Sequence, residues 1–153
     1  MKLVFGYDQK VAAWVGRRIM GYGDFGPCVA IGVVDGNRPI AGIVYHMWAP
    51  DFRTMQVSMA ADSPRWAQRG IIRAMLHYPF EQQGVRKLWS VIASNNERAL
   101  KFNKGIGFRQ EAMLYRHFGE HNAIVTRMFD KDYHRLYGEA NGQQEGWGAA
   151  SSA

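Results

Sequence analysis

The segment that most constrains the fold of this chain covers residues 96–108 and combines a helix cap, a short helix and a glycine stop. Asn95 or Asn96 can cap the helix, because an asparagine side chain accepts a hydrogen bond from a free first-turn amide. Gly105 and Gly107 supply its C-terminal stop. The apolar run Leu-Trp-Ser-Val-Ile-Ala just before it is typical of a strand buried on both faces. The segment therefore predicts a strand–helix unit inside a domain that contains both helices and strands.

The rest of the chain supplies further strands and helices. Met55, Val57 and Met59 alternate with polar residues, which is the period of a strand. The predicted strands cover residues 2–6, 28–34, 39–48, 53–60, 88–93, 108–118 and 122–129. The predicted helices cover 9–20 with Asp8 as the cap, a segment from about residue 71 that ends or kinks at Pro79, and 97–104.

The order of these elements predicts an α+β fold, with a mixed, mostly antiparallel sheet of about seven strands and helices on both faces. The strands over 28–60 form an antiparallel meander, because short turns join them. The strand over 88–93 runs parallel to the third meander strand if the helix between them is a crossover. Ligands often bind where such a parallel pair splays apart. Arg65, Arg69 and Gly70 precede the crossover helix, so a pyrophosphate could bind at its start.

Composition excludes several classes of protein. Cys28 is the one cysteine among 153 residues, so an internal disulfide and a cysteine-based zinc site are both excluded. We expect a reducing, cytoplasmic compartment, and we interpret Cys28 as a small buried residue because no nearby histidine supports it as a nucleophile. No run approaches the ~20 apolar residues of a membrane helix, and no signal peptide is visible. The histidines show no metal-ligand spacing.

These features resemble the GNAT acyltransferase superfamily. The second signature of that family reads Asn, two residues, Ala, three residues, usually Tyr, three residues and then Gly-Phe. Asn96, Ala99, Gly107 and Phe108 match it in register. The continuation Phe-Arg-Gln-Glu is similar to that of ribosomal-protein N-terminal acetyltransferases, and residues 78–84 resemble small GNAT proteins of phages and prophages.

The resemblance covers residues 1–132 and implies a GNAT domain over 1–137. Residues 138–153 contain few core-forming side chains, which predicts a disordered tail.

The resemblance implies an acetyl-CoA-dependent N-acetyltransferase without a metal. A backbone amide near residues 59–61 would polarise the thioester, and an acceptor amine would approach between the loop over 21–27 and the final hairpin. The implied contacts to acetyl-CoA lie at the end of the third meander strand, at the start of the crossover helix and on the capped helix. They are Met59, Ala60, Ala61, Gln68, Arg69, Gly70, Ile71, Ile72, Asn96 and Asn103.

Two positions depart from the family's pattern. The usual phosphate loop reads Gln or Arg, two residues, Gly, one residue, then Gly or Ala. Only Gly70 survives here, with Ala67 and Ile72 at the flanking positions, although backbone amides alone can still bind a phosphate. The usual Tyr, which resembles a general acid toward the departing thiolate, falls on Asn103. An amide can donate a hydrogen bond to sulfur but gives up no proton.

The sequence leaves the identity of the general acid and the general base open. The candidates are Ser58, Asn103 and Tyr115, the last as an acid in place of the missing Tyr. The third meander strand carries no carboxylate, so Gln56 and Ser58 could hold a water chain that removes the amine proton. Asp62 and Glu111 are weaker candidates for the base. Positioning alone could suffice if the amine arrives neutral.

Three functions compete. The first is the acetyltransferase, whose acceptor is a small molecule or a protein amine. The second is a weak or inactive GNAT-fold protein that binds CoA or a protein partner. The third is nucleic-acid binding, suggested by 19 basic against 13 acidic residues and a net charge of +6. It ranks last because basic and aromatic residues are not interleaved. The final hairpin forms an edge, so a homodimer is also possible.

Overall fold

Seven strands form one sheet in the computed structural model, which describes residues 1–19 and 24–138. The order across the sheet is β1-β2-β3-β4-β5-β7-β6, and only β4 and β5 are parallel. The strands are β1 (Lys2–Phe5), β2 (Cys28–Asp35), β3 (Arg38–Ala49), β4 (Thr54–Ala61), β5 (Lys87–Ala93), β6 (Arg109–Phe118) and β7 (His121–Phe129). The helices are α1 (Asp8–Gly16), α2 (Arg69–His77), α3 (Glu97–Ile106) and α4 (Asp130–Tyr137). The predicted mixed sheet with one parallel pair is confirmed.

Helices cover both faces of the sheet because successive strand residues point to opposite sides. On one face, Ala30 and Val44 pack with Ala12 and Val15 of α1. On the other, the main core gathers strand, α2, α3 and α4 side chains, among them Met75, Leu76, Ile106 and Tyr133. Helix α1 therefore stands alone opposite the other three helices.

The parallel pairing of β4 and β5 is short. It joins three residue pairs, Thr54 with Lys87, Met55 with Leu88 and Gln56 with Trp89, and does not continue toward the carboxyl ends of the strands. Each strand keeps a full antiparallel neighbour on its outer side, β3 for β4 and β7 for β5. A cleft therefore opens between the second halves of β4 and β5, where the sequence analysis expects the parallel strands to splay apart.

The segment that gave the strongest sequence signal folds as predicted. The side-chain Oδ1 of Asn96 accepts a hydrogen bond from the amide of Ala99 at 3.2 Å, so Asn96 is the cap of α3. Gly107 ends the helix with φ 118°, a conformation that favours glycine. A side chain there would also meet Leu136 of α4 at 2.6 Å.

Two sequence predictions about local structure are wrong, the end of α1 and its cap, and helix α4 and two short turns add to the predicted elements. Helix α4 was not predicted; its Tyr137 hydroxyl donates to the carbonyl of Ile106 at 2.7 Å and ties α4 to α3. Helix α1 ends at Gly16. Asp8 does not cap α1, because its carboxylate accepts the amide of Ala30 at 2.9 Å. A 3₁₀ turn over Pro64–Trp66 and a π turn over Tyr78–Gln82 flank α2.

Two other predictions fall partly outside the described residues. The loop prediction includes residues 21–23, and the tail prediction includes everything after Gly138. Within residues 1–19 and 24–138, no helix has the length and apolar character needed to cross a membrane.

Two glycines allow α1 to lie close to the sheet. A methyl group at Gly42 would meet Val15 at 2.6 Å and Val11 at 3.0 Å. One at Gly32 would meet Val11 at 3.2 Å, and also Val4 of β1 at 2.8 Å. We expect Gly42→Ala to lower the free energy of unfolding by about 1–3 kcal/mol, because overpacking forces α1 and its side chains to shift. Urea denaturation measures this change.

The matched control is Gly105→Ala in α3, where a methyl group meets no atom within 4 Å. This change should leave stability unchanged or raise it by up to about 1 kcal/mol, since alanine favours a helix over glycine. Equal effects of the two substitutions would contradict the close packing of α1.

Candidate active site

A cavity of about 420 Å³ fills the cleft between β4 and β5. Its walls come from both strands, from α3, from the residues that follow α1 and from the end of β6. They comprise Arg18, Ile19, Val57, Ser58, Met59, Ser90, Val91, Ile92, Ala93, Asn95, Asn96, Ala99, Phe102, Asn103 and Phe118. The cavity therefore reaches from the α3 face of the sheet through to the α1 face.

A serine–histidine pair lies in the β4 wall. The Oγ atom of Ser58 is 2.9 Å from Nε2 of His46 on the neighbouring strand β3. His46 is only 3% exposed, and the edge of its ring contacts the ring of Phe25 at 4.9 Å between centroids. Burial lowers the pKa of His46 to about 4, so the imidazole is neutral at pH 7 and one ring nitrogen is a proton acceptor.

The neighbourhood of His46 corrects one sequence interpretation. Cys28 was read as having no nearby histidine, yet the register of β2 and β3 places it opposite His46. Burial raises the pKa of the Cys28 thiol, and the charges of Asp8 and Asp24 raise it further. The thiol therefore stays protonated at neutral pH, which does not suit a nucleophile.

Three buried polar side chains form the α3 side of the cleft. The hydroxyls of Ser90 on β5 and Thr126 on β7 are 2.7 Å apart, and Nδ2 of Asn103 lies 3.5 Å from Ser90 Oγ. All three residues are at most 5% exposed. Oδ1 of Asn103 is buried without a hydrogen-bond partner. A buried polar atom without a partner costs about 1–3 kcal/mol, whichever end of the Asn103 amide occupies this position.

The start of α2 offers backbone amides. No side chain caps this helix, and space is open above Gly70. Free first-turn amides and the positive end of the helix dipole together favour an anion. The side chain of Ile72 is buried in the main core. Arg69 is engaged elsewhere, since its guanidinium donates to the carbonyl of Leu136 at 3.0 Å and lies over the ring of Tyr137.

An arginine forms the wall on the α1 face. Nε and Nη2 of Arg18 contact the two carboxylate oxygens of Asp62 at 2.8 and 3.1 Å. Its Nη1 donates to the carbonyl of Trp14 at 3.0 Å, and the guanidinium lies 3.5 Å from the centroid of the Trp14 ring. The hydrogen bond from Arg18 lowers the pKa of Asp62, which makes that carboxylate a poor base.

The structure gathers part of the predicted site. Ser58, Met59, Asn96 and Asn103 all line the cavity. The remaining predicted residues do not line it; they are Ala60 and Ala61 at the end of β4, Gln68, Arg69, Gly70, Ile71 and Ile72 at the start of α2, and Tyr115. Tyr115 is 78% exposed on the edge strand β6.

Glu111 does not reach the cleft either. Its carboxylate pairs with Lys87 at 2.7 Å and with Arg127 at 3.9 Å. Sequence reasoning missed His46, Ser90, Thr126 and Arg18 as parts of the site. The alternation of β3 and β4 residues could have revealed His46 beside Ser58, because both positions face α1. No group of three or more His, Cys, Asp or Glu side chains suited to a metal ion occurs in the described part of the chain.

Comparison with solved structures identifies the fold. A variant of the spermidine N-acetyltransferase from Vibrio cholerae superposes with a TM-score of 0.68 at 15% identity, over 87% of this chain and 97% of that one. The ribosomal-protein-S5-alanine acetyltransferase from Vibrio fischeri gives 0.59 at 19% identity, over 69% of this chain and 63% of that one. The chain therefore has the GNAT fold. No protein-family model matches the sequence, and no curated protein matches it.

The buried, neutral His46 predicts how stability depends on pH. Its folded pKa of about 4 lies below the unfolded value of 6.5, so the unfolded chain binds the extra proton between these two values. The contribution of His46 to stability is therefore complete above pH 6.5 and declines as the pH falls to about 4, by up to about 3 kcal/mol. Urea denaturation at pH 7.5 and pH 4.5 measures the loss.

His46→Gln serves as the reference, because it keeps a polar side chain and removes the titration. The variant should lose less stability than the wild type over the same interval. Parallel pH dependences in the two proteins would show that His46 does not titrate as its burial requires.

Proposed function

We propose that this protein transfers an acetyl group from acetyl-CoA to an amine. The observation that carries the proposal is the cleft between β4 and β5, where a thioester arm and an amine can meet from opposite faces of the sheet. The two fold neighbours described above are acetyltransferases by name, which supports the same class of reaction. The cleft offers polar side chains to both the thioester and the amine, namely Ser58, Ser90 and Asn103.

The residues fit a CoA thioester on the α2 and α3 side. The uncapped amides of Arg69, Gly70 and Ile71 at the start of α2 would bind the pyrophosphate, and open space above Gly70 permits its close approach. The amides of Gln68 and Ile72 already donate to the carbonyls of Trp66 and Gln68. Met59 lines the cavity, and we assign it, with Ala60 and Ala61, to the backbone edge beside the thioester arm. When bound, acetyl-CoA supplies an activated acetyl group and a thiolate leaving group.

Ser58 and His46 would receive the amine proton. In the reaction the amine nitrogen forms a bond to the acetyl carbon, the carbon–sulfur bond breaks with its electron pair on sulfur, and the nitrogen loses one proton. Ser58 Oγ takes that proton while its own moves to Nε2 of His46, 2.9 Å away. His46 then returns the proton through Ser58 to solvent in the cavity, and the departing thiolate takes a proton from solvent. This pair takes the place of the carboxylate that β4 lacks.

Asn103 would stabilise the leaving sulfur. Rotation of its amide by 180° turns Oδ1 toward the Ser90 hydroxyl and directs Nδ2 to the position where Oδ1 now has no partner. Ser90 can donate in that arrangement, since Thr126 can donate to Ser90. The amide N–H then faces the cleft as a donor, as the sequence suggested for this position.

A second candidate function is a CoA-binding protein without turnover. The observation that favours it is Asn103 itself, which occupies the place of the usual Tyr and has no proton to give. A homodimer also stays a prediction, supported by the edge strand β6 with its exposed Met113, Leu114 and Tyr115. The cytoplasmic location and the resemblance to phage proteins stay predictions too.

Binding and turnover together test the proposed function. We expect acetyl-CoA and CoA at millimolar concentration to raise the melting temperature, since a ligand that binds only the folded state stabilises it. Thiol release from acetyl-CoA with a panel of amines should then show turnover. A thermal shift without thiol release would support the binding protein, and the absence of any shift would exclude both functions.

Gly70→Asp locates the pyrophosphate in the same assay. A carboxylate at a helix start stabilises the helix but repels an anion, so the thermal shift with CoA should disappear without loss of stability. The control is Gln9→Asp, which makes the same charge change at the exposed start of α1 on the opposite face. It should leave the shift with CoA unchanged.

Ser58→Ala tests the proton path. We expect kcat at pH 7 to fall by about 100-fold, because removal of a proton relay typically costs that order of rate, while the KM for acetyl-CoA is retained. The deficit should shrink as the pH rises toward the pKa of the acceptor amine, since the amine then arrives neutral. Steady-state kinetics from pH 6 to 10 measure both effects.

Ser63→Ala is the matched control, because Ser63 caps the 3₁₀ turn outside the cleft. It should leave kcat unchanged. If Ser58→Ala also leaves kcat within about twofold of the wild type, Ser58 and His46 do not carry the proton.

A further inference from the structure

The charged side chains that line the cavity restrict the chemical class of the acceptor amine. Among the described residues that line the cavity, Arg18 is the one charged side chain, and neither Asp nor Glu occurs there. A polyamine would therefore find no carboxylate among the described lining residues for its second ammonium group, and it would meet the Arg18–Asp62 ion pair, of which only Arg18 lines the cavity.

Arg18 is fixed by its neighbours and still has unused N–H donors. Asp62, the Trp14 carbonyl and the Trp14 ring fix the guanidinium through three hydrogen bonds and a stacking contact. A guanidinium has five N–H donors, so one remains on each terminal nitrogen. The side chain is 31% exposed. An arginine fixed in this way loses little side-chain entropy when it binds a carboxylate, and Asp62 need not leave.

Arg18 also lies on the side from which the acceptor would approach. It follows α1, and the α1 face of the sheet is opposite the face that carries α2 and α3. Ser58 shares the α1 face, because its neighbour at the same alternation, Ala60, packs against the α1 cluster. Arg18, Ser58, Val91 and Phe118 all line the cavity and provide one cation, one hydroxyl and two apolar side chains.

We propose that the acceptor is a small amine that carries a carboxylate, such as an amino acid, and that Arg18 selects it by binding the carboxylate. This inference rests on the proposed acetyl transfer and names its substrate class. The carboxylate pairs with the free donors of Arg18, the apolar side chains contact the body of the acceptor, and its amine faces Ser58. Polyamines, which the names of the Vibrio cholerae neighbours specify, are disfavoured here.

Matched acceptors test the inference on the unaltered protein. Leucine, its decarboxylated amine and leucinamide differ only in the carboxylate, and spermidine represents the polyamines. We expect kcat/KM for leucine to exceed that of the other three by about 10-fold or more, the value of a charge-assisted hydrogen bond. A kcat/KM for spermidine, the plain amine or the amide that equals or exceeds that of leucine would overturn it. The amide also represents a protein N-terminus.

Two variants assign the preference to Arg18. Arg18→Gln should raise the KM for leucine by about 10- to 100-fold without raising the KM for the decarboxylated amine, because the variant loses the carboxylate partner and leaves Asp62 without its cation. Arg18→Lys, which keeps the charge but loses the planar fork, should recover part of the affinity. The control is Arg65→Gln, because Arg65 pairs with Asp35 at 2.8 Å on the surface and does not line the cavity. It should leave both values unchanged.

Calorimetry separates failure of this inference from failure of the proposed function. Leucine titrated into the protein with bound CoA should bind, and Arg18→Gln should abolish the heat. Circular dichroism verifies that the variant folds. Thiol release with amines but without a carboxylate preference would overturn the inference alone. Absence of thiol release with every amine would overturn the proposed function, and absence of leucine binding would then overturn the inference as well.

Discussion

The short parallel contact between β4 and β5 is the constraint on which the site depends. Three residue pairs join the two strands, while β3 holds the full outer side of β4 and all seven residues of β5 pair with β7. Neither strand can move to close the gap without breaking its outer ladder. Beyond Gln56 and Trp89, the backbone groups of β4 and β5 that face each other make no strand-to-strand hydrogen bonds. They are therefore available to pair with the amides of an extended ligand. The sheet maintains the cleft through its outer strands rather than through contacts inside the cleft.

Helix α3 couples this cleft to the core. Asn96 caps the helix and lines the cavity, and Gly107 ends the helix where Leu136 of α4 leaves no space for a side chain. These two fixed ends set the rotation of the helix and direct Asn103 toward Ser90. The same sequence pattern that stabilises the scaffold therefore places a polar group on the cleft. A shift of α3 would affect packing and ligand contacts together.

Local signals predicted most of the fold, whereas the site depends on pairs that are distant in sequence. The alternation of β4, the cap at Asn96 and the stop at Gly107 follow from neighbouring residues, and the structure confirms them. Helix α4 escaped prediction because its sequence, Asp-Lys-Asp-Tyr-His-Arg-Leu-Tyr, is polar and short, and core contacts of its tyrosines stabilise it. The pairs of His46 with Ser58 and of Arg18 with Asp62 require the strand register and the position of α1, which no local pattern contains.

The electrostatics of the cleft favour an amine that reacts in its neutral form. His46 is neutral because it is buried, and Asp62 is held by Arg18 outside the cavity wall. In the proposed reaction, an ammonium ion would lose water on entering this cleft without gaining a carboxylate from the described lining residues, so we expect the cleft to lower the pKa of a bound amine. An uncharged amine can attack a thioester without a strong base, and the proton is released only as the new bond forms. In the proposed reaction, a weak acceptor such as the Ser58–His46 pair would then suffice without a carboxylate on β4.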